Sequence, residues 1–219
     1  MFCIPPPLLV PPRVPNTKLL MHCEGINGGT IFTDSASPSH SVSIHSGSGI
    51  TTSTADKVFQ NSSLAFTGAG RLVSYSADYN LSGDFTVDFR LKLTASMSGQ
   101  YLMDFSTSAA RTNGFLLFAS GGALTYWFNS AGLITSSAIS LNTWYHVAIT
   151  RSGSTSRLFV NGVLQGTTTT AVTVNGGQVI MGGDPFGSTY MTGLMDEIRI
   201  LNGSAAWTSS FTPPQEPYA

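Results

Sequence analysis

Residues 84–93, DFTVDFRLKL, alternate without a break between apolar and polar side chains. Phe85, Val87, Phe89, Leu91 and Leu93 fall on one parity, and Thr86, Asp88, Arg90 and Lys92 on the other. A helix would scatter the five apolar residues around its circumference, whereas a strand places them all on one face. The run therefore predicts a half-buried antiparallel strand. Asp84 and Asp88 share its polar face, where a solvated pair is expected. No window of useful length carries a helical period. Shorter runs of strand character recur at 18–24, 63–67, 72–76, 101–105, 114–119, 124–129, 144–151, 157–160, 163–166, 178–181 and 193–201. Between them lie turn signals: Gly68-Ala69-Gly70, Ser120-Gly121-Gly122, and Asn161-Gly162, the pair favoured in type I′ hairpins. Strands this closely spaced, with Gly and Asn turns, predict an all-β, antiparallel two-sheet jelly-roll sandwich. Residues 25–55 are long and polar for a single loop, so short strands or a functional role are expected there.

Composition narrows the function classes. Charged residues are 10% of the chain, against roughly 25% in ordinary soluble domains. Ten Lys and Arg oppose eleven Asp and Glu, for a net charge of −1. That disfavours a helix-rich enzyme, whose solvent faces carry Glu, Lys and Arg. It also disfavours a protein that binds nucleic acid by neutralising phosphates. A hydrophobic share of 42% can fill a core, which excludes a disordered chain. Ser and Thr make up about a quarter of the residues and supply the polar surface instead.

Residues 1–17, MFCIPPPLLVPPRVPNT, form a proline-rich arm with six prolines and no basic residue before Arg13. The prolines break the apolar helix that a secretory signal needs, and no stretch reaches the roughly 18 apolar residues of a membrane span. The arm cannot bury itself and favours extended polyproline II. Pro5, Pro6, Pro7, Leu8, Leu9, Val10 and Arg13 are thus expected to anchor it to the domain body or to another subunit. Cys3 and Cys23 read as two free thiols, with a disulfide between arm and first strand as the alternative. Residues 18–212 are expected to be the jelly roll, and 213–219 an extended tail laid across it by Phe211 and Tyr218.

Three segments in order, GDFTVDFRLKL, NTWYHVAITRSGSTSRLFVNGVLQG and GLMDEIRILNGSAAW, resemble the laminin G-like, concanavalin A-like jelly rolls. KLLMHCEGINGGTIFTDSAS and KVFQNSSLAFTGAG look like that family's opening, so the resemblance covers residues 18–212. It implies the sandwich fold but selects no single function, because the fold hosts lectins, adhesion modules, glycosidases and virion proteins. The closing NGSAAWTSSFTPPQEPY is similar to versions in bacteriophage and environmental viral structural proteins.

The sequence lacks the acid pattern of a jelly-roll glycosidase. The resemblance would require Glu-x-Asp-x-x-Glu on one strand face, and no such run occurs; Asp196-Glu197 are adjacent. His22, His40, His45 and His146 show no metalloprotease spacing, and no Gly-x-Ser-x-Gly elbow is present. Asp196 shares parity with Leu194, Ile198 and Ile200, so it needs a partner: an Arg, backbone amides or a cation. Relatives of the fold hold a structural calcium near this strand, which here would involve Asp196 with Asp34 or Glu24. Tyr126, Trp127, Tyr190 and Trp207 are the candidate sugar platforms. The expectation is a non-catalytic bacteriophage virion structural protein, as capsid decoration or tail and fibre component. It would be displayed on the virion surface, or otherwise extracellular, and be homo-oligomeric. Residues 1–17 would anchor it to other virion proteins, and it would aid host-surface adhesion. The alternative is a lectin module that binds host or environmental glycans. Neither nucleic acid nor membrane is expected as a partner.

Overall fold

The computed structural model describes residues 14–96 and 98–219; Cys3 and the arm residues Pro5, Pro6, Pro7, Leu8, Leu9, Val10 and Arg13 lie outside the described residues. Fifteen strands follow in chain order among the described residues: β1 (Thr17–Met21), β2 (Val42–Gly47), β3 (Ile50–Ser53), β4 (Ser63–Thr67), β5 (Gly70–Tyr75), β6 (Phe85–Leu93), β7 (Gln100–Asp104), β8 (Leu116–Ser120), β9 (Ala123–Phe128), β10 (Ala131–Thr135), β11 (Tyr145–Ser152), β12 (Thr155–Val160), β13 (Val163–Thr168), β14 (Gln178–Met181) and β15 (Thr192–Asn202). One 3₁₀ turn, Ala77–Tyr79, is the only helical element described. The long polar stretch at 25–55 resolves into loops around the edge strands β2 and β3.

The strands form two antiparallel sheets. The larger runs β13-β12-β11-β6-β15-β4-β3, with β1 beside β15. The smaller runs β10-β9-β8-β7-β14-β5-β2. β15 is long enough to pair with β4 through Thr192–Met195 and then with β1 through Ile198–Leu201. Two-residue turns set the hairpin registers. Asn161 and Gly162 have φ of 49° and 74°, so β12 and β13 meet as the Asn-Gly signal requires.

The core lies between the sheets. β6 contributes Phe85, Val87, Phe89, Leu91 and Leu93, all buried and all of one parity. Each such side chain contributes roughly 2 kcal/mol by leaving water. Facing them from the smaller sheet are Leu102, Phe105, Phe115, Leu117, Leu124 and Tyr126. Phe115 ties the layers together, with ring centroids 5.8 Å from Phe85, 4.6 Å from Phe105 and 5.1 Å from Tyr126.

The polar face of β6 departs from expectation. Asp88 is fully buried and does not form a solvated pair with Asp84. The cause is the C-terminal segment, which returns across the outer face of the larger sheet. Thr86 Oγ1 donates to the Ser204 carbonyl and accepts from Ala206 N–H. Thr150 donates to the Trp207 carbonyl, Phe211 N–H to Gly162, and Arg90 to Pro214. Tyr218 donates its hydroxyl to Asp88, while its ring lies 3.6 Å beneath the Arg199 guanidinium. Arg199 Nε reaches Asp88 Oδ1 at 2.9 Å, and His146 Nε2 lies 3.2 Å from Asp88 Oδ2. Asp88 is thus a buried anion with two cationic or donor side chains and a phenol around it. Those partners hold its carboxyl below the usual range, against the opposing effect of burial.

Candidate functional site

On the smaller sheet's outer face Val73, Asp104, Leu116 and Ile180 are buried, while half-buried aromatic rings lie on β7, β8 and β9. On β9, Leu124, Tyr126 and Phe128 enter the core, which leaves Thr125 and Trp127 on the outside. On β8, Leu117 and Ala119 enter the core and Phe118 points out. β7 carries a register shift between Tyr101 and Met103; Leu102 and Met103 both face inward and Tyr101 faces out. Pairing then aligns Tyr101 with Phe118 and Phe118 with Thr125, with Leu116 opposite Trp127. Tyr101 and Phe118 stack at 5.8 Å and 29°, and Phe118 meets Trp127 edge-on at 5.8 Å and 74°. All three rings are half-buried.

Arg111 closes one end of this row. It sits in the left-handed region at φ 51°, a conformation that a non-glycine residue adopts only where its surroundings impose it. Its Nη1 donates to the Ala109 carbonyl at 2.7 Å, its Nη2 to Asp184 Oδ1 at 2.7 Å and its Nε to Asp104 Oδ2 at 3.3 Å. The guanidinium lies 5.3 Å from the ring centres of both Tyr101 and Phe186. Asp104 is fully buried, and its other oxygen accepts from Ser106 N–H and Oγ–H at 2.8 and 2.5 Å. Burial pushes its carboxyl up, against those donors and Arg111. Phe186, 42% exposed, extends the aromatic surface outward.

The residues expected from sequence separate on this frame. Trp127 belongs to the row. Tyr126 does not: it is fully buried in the core, because β9 turns its parity inward there. Trp207 is not part of this row either. It lies on the opposite sheet, stacked on Phe211 at 3.9 Å and 3°, with His146 at 5.5 Å and Arg199 at 5.6 Å. Tyr190 does reach the outer face of the smaller sheet, bridged to Gly183 and 5.6 Å below the Arg71 guanidinium.

The three acids expected at a calcium site hold backbone amides. Asp196 Oδ2 accepts from Val58 and Phe59 N–H at 2.9 and 3.2 Å, and its Oδ1 from Glu197 N–H at 2.9 Å. Glu24 accepts from Asn61 and Ser62 N–H. Asp34 accepts from Leu20, Ala36 and His40 N–H. Among the described residues no group of three or more His, Cys, Asp or Glu could hold a metal ion. Of the open alternatives for Asp196, backbone amides are the partners observed. Cys23 is a buried free thiol whose Sγ donates to the Met21 carbonyl.

Tyr101, Phe118, Arg111 and Phe186 were not singled out by sequence. Phe118 sits in FLLFA, where every residue is apolar and parity cannot tell inside from outside. Tyr101 had a usable signal, an amphipathic ring at the start of a strand.

Known proteins place this architecture. The chain matches the solved domain 4 of AbnA, a GH43 extracellular arabinanase from Geobacillus stearothermophilus, in complex with arabinotriose. The TM-score is 0.65 at 16% identity, over 79% of this chain and 87% of that one. It also matches the botulinum neurotoxin serotype D binding domain, with TM-score 0.62 at 12% identity over 85% of this chain. A botulinum neurotoxin type C structure, described as dependent upon interaction with two ganglioside molecules for cell entry, gives 0.60 at 12%. The chain spans 48% of each of these two toxin chains. No curated protein matches it. The family profile of the concanavalin A-like lectin/glucanases superfamily, a laminin G type, matches residues 66–208. With that profile over more than half of its length, on a two-sheet antiparallel sandwich, the chain belongs to the concanavalin A-like lectin/glucanase superfamily.

Proposed function

We propose that the chain is a non-catalytic glycan-binding module and that sugar rests on the outer face of the smaller sheet. The observation that carries this is the row Trp127, Phe118 and Tyr101, three contacting rings half-exposed on a rigid sheet. Sugar rings present apolar C–H faces that cover such aromatics, while Tyr and Trp keep a polar edge for hydroxyls. The arabinotriose bound by the arabinanase domain and the gangliosides named for the toxin agree with this reading by analogy of fold. The non-catalytic assignment rests on the acids of this face. Asp104 and Asp184 are both tied to Arg111, which leaves neither as a free acid or base.

A panel of plant, bacterial and animal oligosaccharides titrated by calorimetry tests the reading. Binding by at least one glycan is expected, with a loss of about tenfold or more in Trp127→Ala and Tyr101→Ala at unchanged circular dichroism. Binding that survives both substitutions, or an empty panel, would end the proposal. Release of reducing ends from a bound polysaccharide would overturn the non-catalytic part.

The setting we propose is the surface of a bacteriophage virion, where the module supports host adhesion as part of a symmetric oligomer. Residues 1–17 would anchor it to neighbouring subunits. The support is the resemblance read in the sequence of residues 202–218, together with their place on the larger sheet. Val14–Thr17 and Ala219 line one cleft, so both ends of the described chain lie together. Particles assembled with a chain lacking residues 1–13 should lose this protein. Normal incorporation would rule the anchor out.

A further inference from the structure

Three arginines are buried among the described residues, and two have acids to meet them. Arg111 is paired with Asp104 and Asp184, and Arg199 with Asp88. Arg71, on β5, is 7% exposed and has no described carboxylate against it. Its Nε donates to His45 Nδ1 at 3.2 Å and its Nη1 to the Gly187 carbonyl at 3.2 Å, both uncharged acceptors. A guanidinium taken out of water without an anion is costly, and its planar fork matches a carboxylate.

His45, Tyr190 and Gly183 surround the guanidinium. Because His45 Nδ1 accepts from Arg71, its ring proton sits on Nε2, which remains available as a donor. Burial and the Arg71 charge both push the His45 pKa down, so the ring is neutral at physiological pH. His45 is exposed on β2, the edge strand of the smaller sheet, which opens the site to solvent. The Tyr190 ring centre lies 5.6 Å from the Arg71 guanidinium and gives it an aromatic neighbour. Gly183 makes that approach feasible: a Cβ there would lie 2.9 Å from both Arg71 Cβ and Tyr190 Cδ1. The loop 183–190 separates this site from the aromatic row. It is held on one side by Asp184 to Arg111 and on the other by Gly187 to Arg71.

We infer that Arg71, His45 and Tyr190 form an acid-recognition subsite for a sugar carboxylate, so that the glycans this face takes are acidic ones. The inference rests on the glycan-binding reading above and names its ligand class. Arg71 and His45 would donate to the carboxylate oxygens, and the Tyr190 ring would cover the face of the sugar that bears them.

The test pairs each member of a panel of uronate- and sialate-containing oligosaccharides with its neutral methyl ester, titrated against the full chain. At least one acid should bind about tenfold more tightly than its ester, the range expected for a buried charge gaining its partner. Arg71→Met, which keeps the stem's packing, should bring that ratio to about one while ester binding stays. His45→Ala, at an exposed edge position, should reduce the ratio several-fold and guards against a folding defect in the first variant. Acids and esters that bind equally across the panel overturn the subsite and leave the aromatic row standing. A preference for acids that is retained in both variants overturns it as well. Acid binding that depends on Arg71 but is indifferent to Trp127→Ala would instead sink the aromatic-row reading and keep this one.

Discussion

Burial pushes the Asp196 carboxyl up to about 7, against the pull of the Val58 and Phe59 amides. Between the ordinary carboxylate range and that value, the folded chain holds a proton the unfolded chain has lost. Stability therefore falls as pH rises through the window. His22 acts in the same direction. Its pKa is raised from 6.5, first by the hydrogen bond to Glu197, and its contribution is lost as pH climbs through the raised value. His45, whose pKa is lowered, opposes them weakly from an exposed position. The expected result is a Tm that declines from about pH 5 to about pH 8. Asp196→Asn keeps an acceptor for the loop amides and removes the titration, so it should flatten the decline. An unchanged slope would mean that Asp196 is not its source. The sequence placed Asp196 correctly as an acid in need of a partner but on the wrong parity. Glu197 lies at φ 48° in a register shift between Asp196 and Arg199, so one extra residue separates the two halves of β15. Met195 enters the core where parity counted from Ile198 would put Asp196. A bulge of this kind leaves no trace in alternation, because it arises where β15 passes from β4 to β1.

The C-terminal segment shows what alternation can and cannot report for whole elements. The apolar parity of β6 was legible because the core is local to it, whereas its polar parity was not. Whether a polar face meets water or a returning chain is settled about 120 residues later, by Ser204 and Ala206 on Thr86. The role expected for Phe211 and Tyr218 in laying the tail down is what the contacts show. Phe211 stacks on Trp207 and meets Phe159 and His146 edge-on, at 5.3 and 5.7 Å. Phe211→Ala removes those contacts from a half-buried ring and should cost about 2 kcal/mol, a fall in Tm of roughly 5 °C. Tyr218→Phe removes a hydroxyl from the buried Asp88 and should destabilise chiefly by leaving that anion short of a donor. Chemical denaturation of the two variants measures both effects. A loss below about 0.5 kcal/mol in Phe211→Ala would show that the segment is not part of the cooperative fold.

At the scale of the molecule, the two outer faces have different work. The larger sheet spends its outer polar residues on holding the C-terminal segment, while the smaller sheet presents aromatics to solvent. The fold class and most strands could be read in advance because periodicity and Gly turns report local backbone geometry. Of the aromatic row only Trp127 could, since the rest depends on which of two apolar parities faces out and on loops 105–114 and 183–190 brought over from elsewhere. The low charge seen in composition now bears on how binding should behave. With a net charge of −1 and few surface ions, long-range attraction contributes little, and stacking on rings does not respond to ionic strength. A neutral glycan bound at Trp127 should therefore change its Kd by less than about twofold between 50 and 500 mM NaCl, since screening has no charge pair to act on. An acidic glycan should weaken modestly over the same range, because Arg71 is buried and only its approach is screened. Calorimetric titration of both ligands at the two salt concentrations separates the contributions. A neutral glycan that loses an order of magnitude in affinity would show that ions, and not the aromatic surface, hold the sugar.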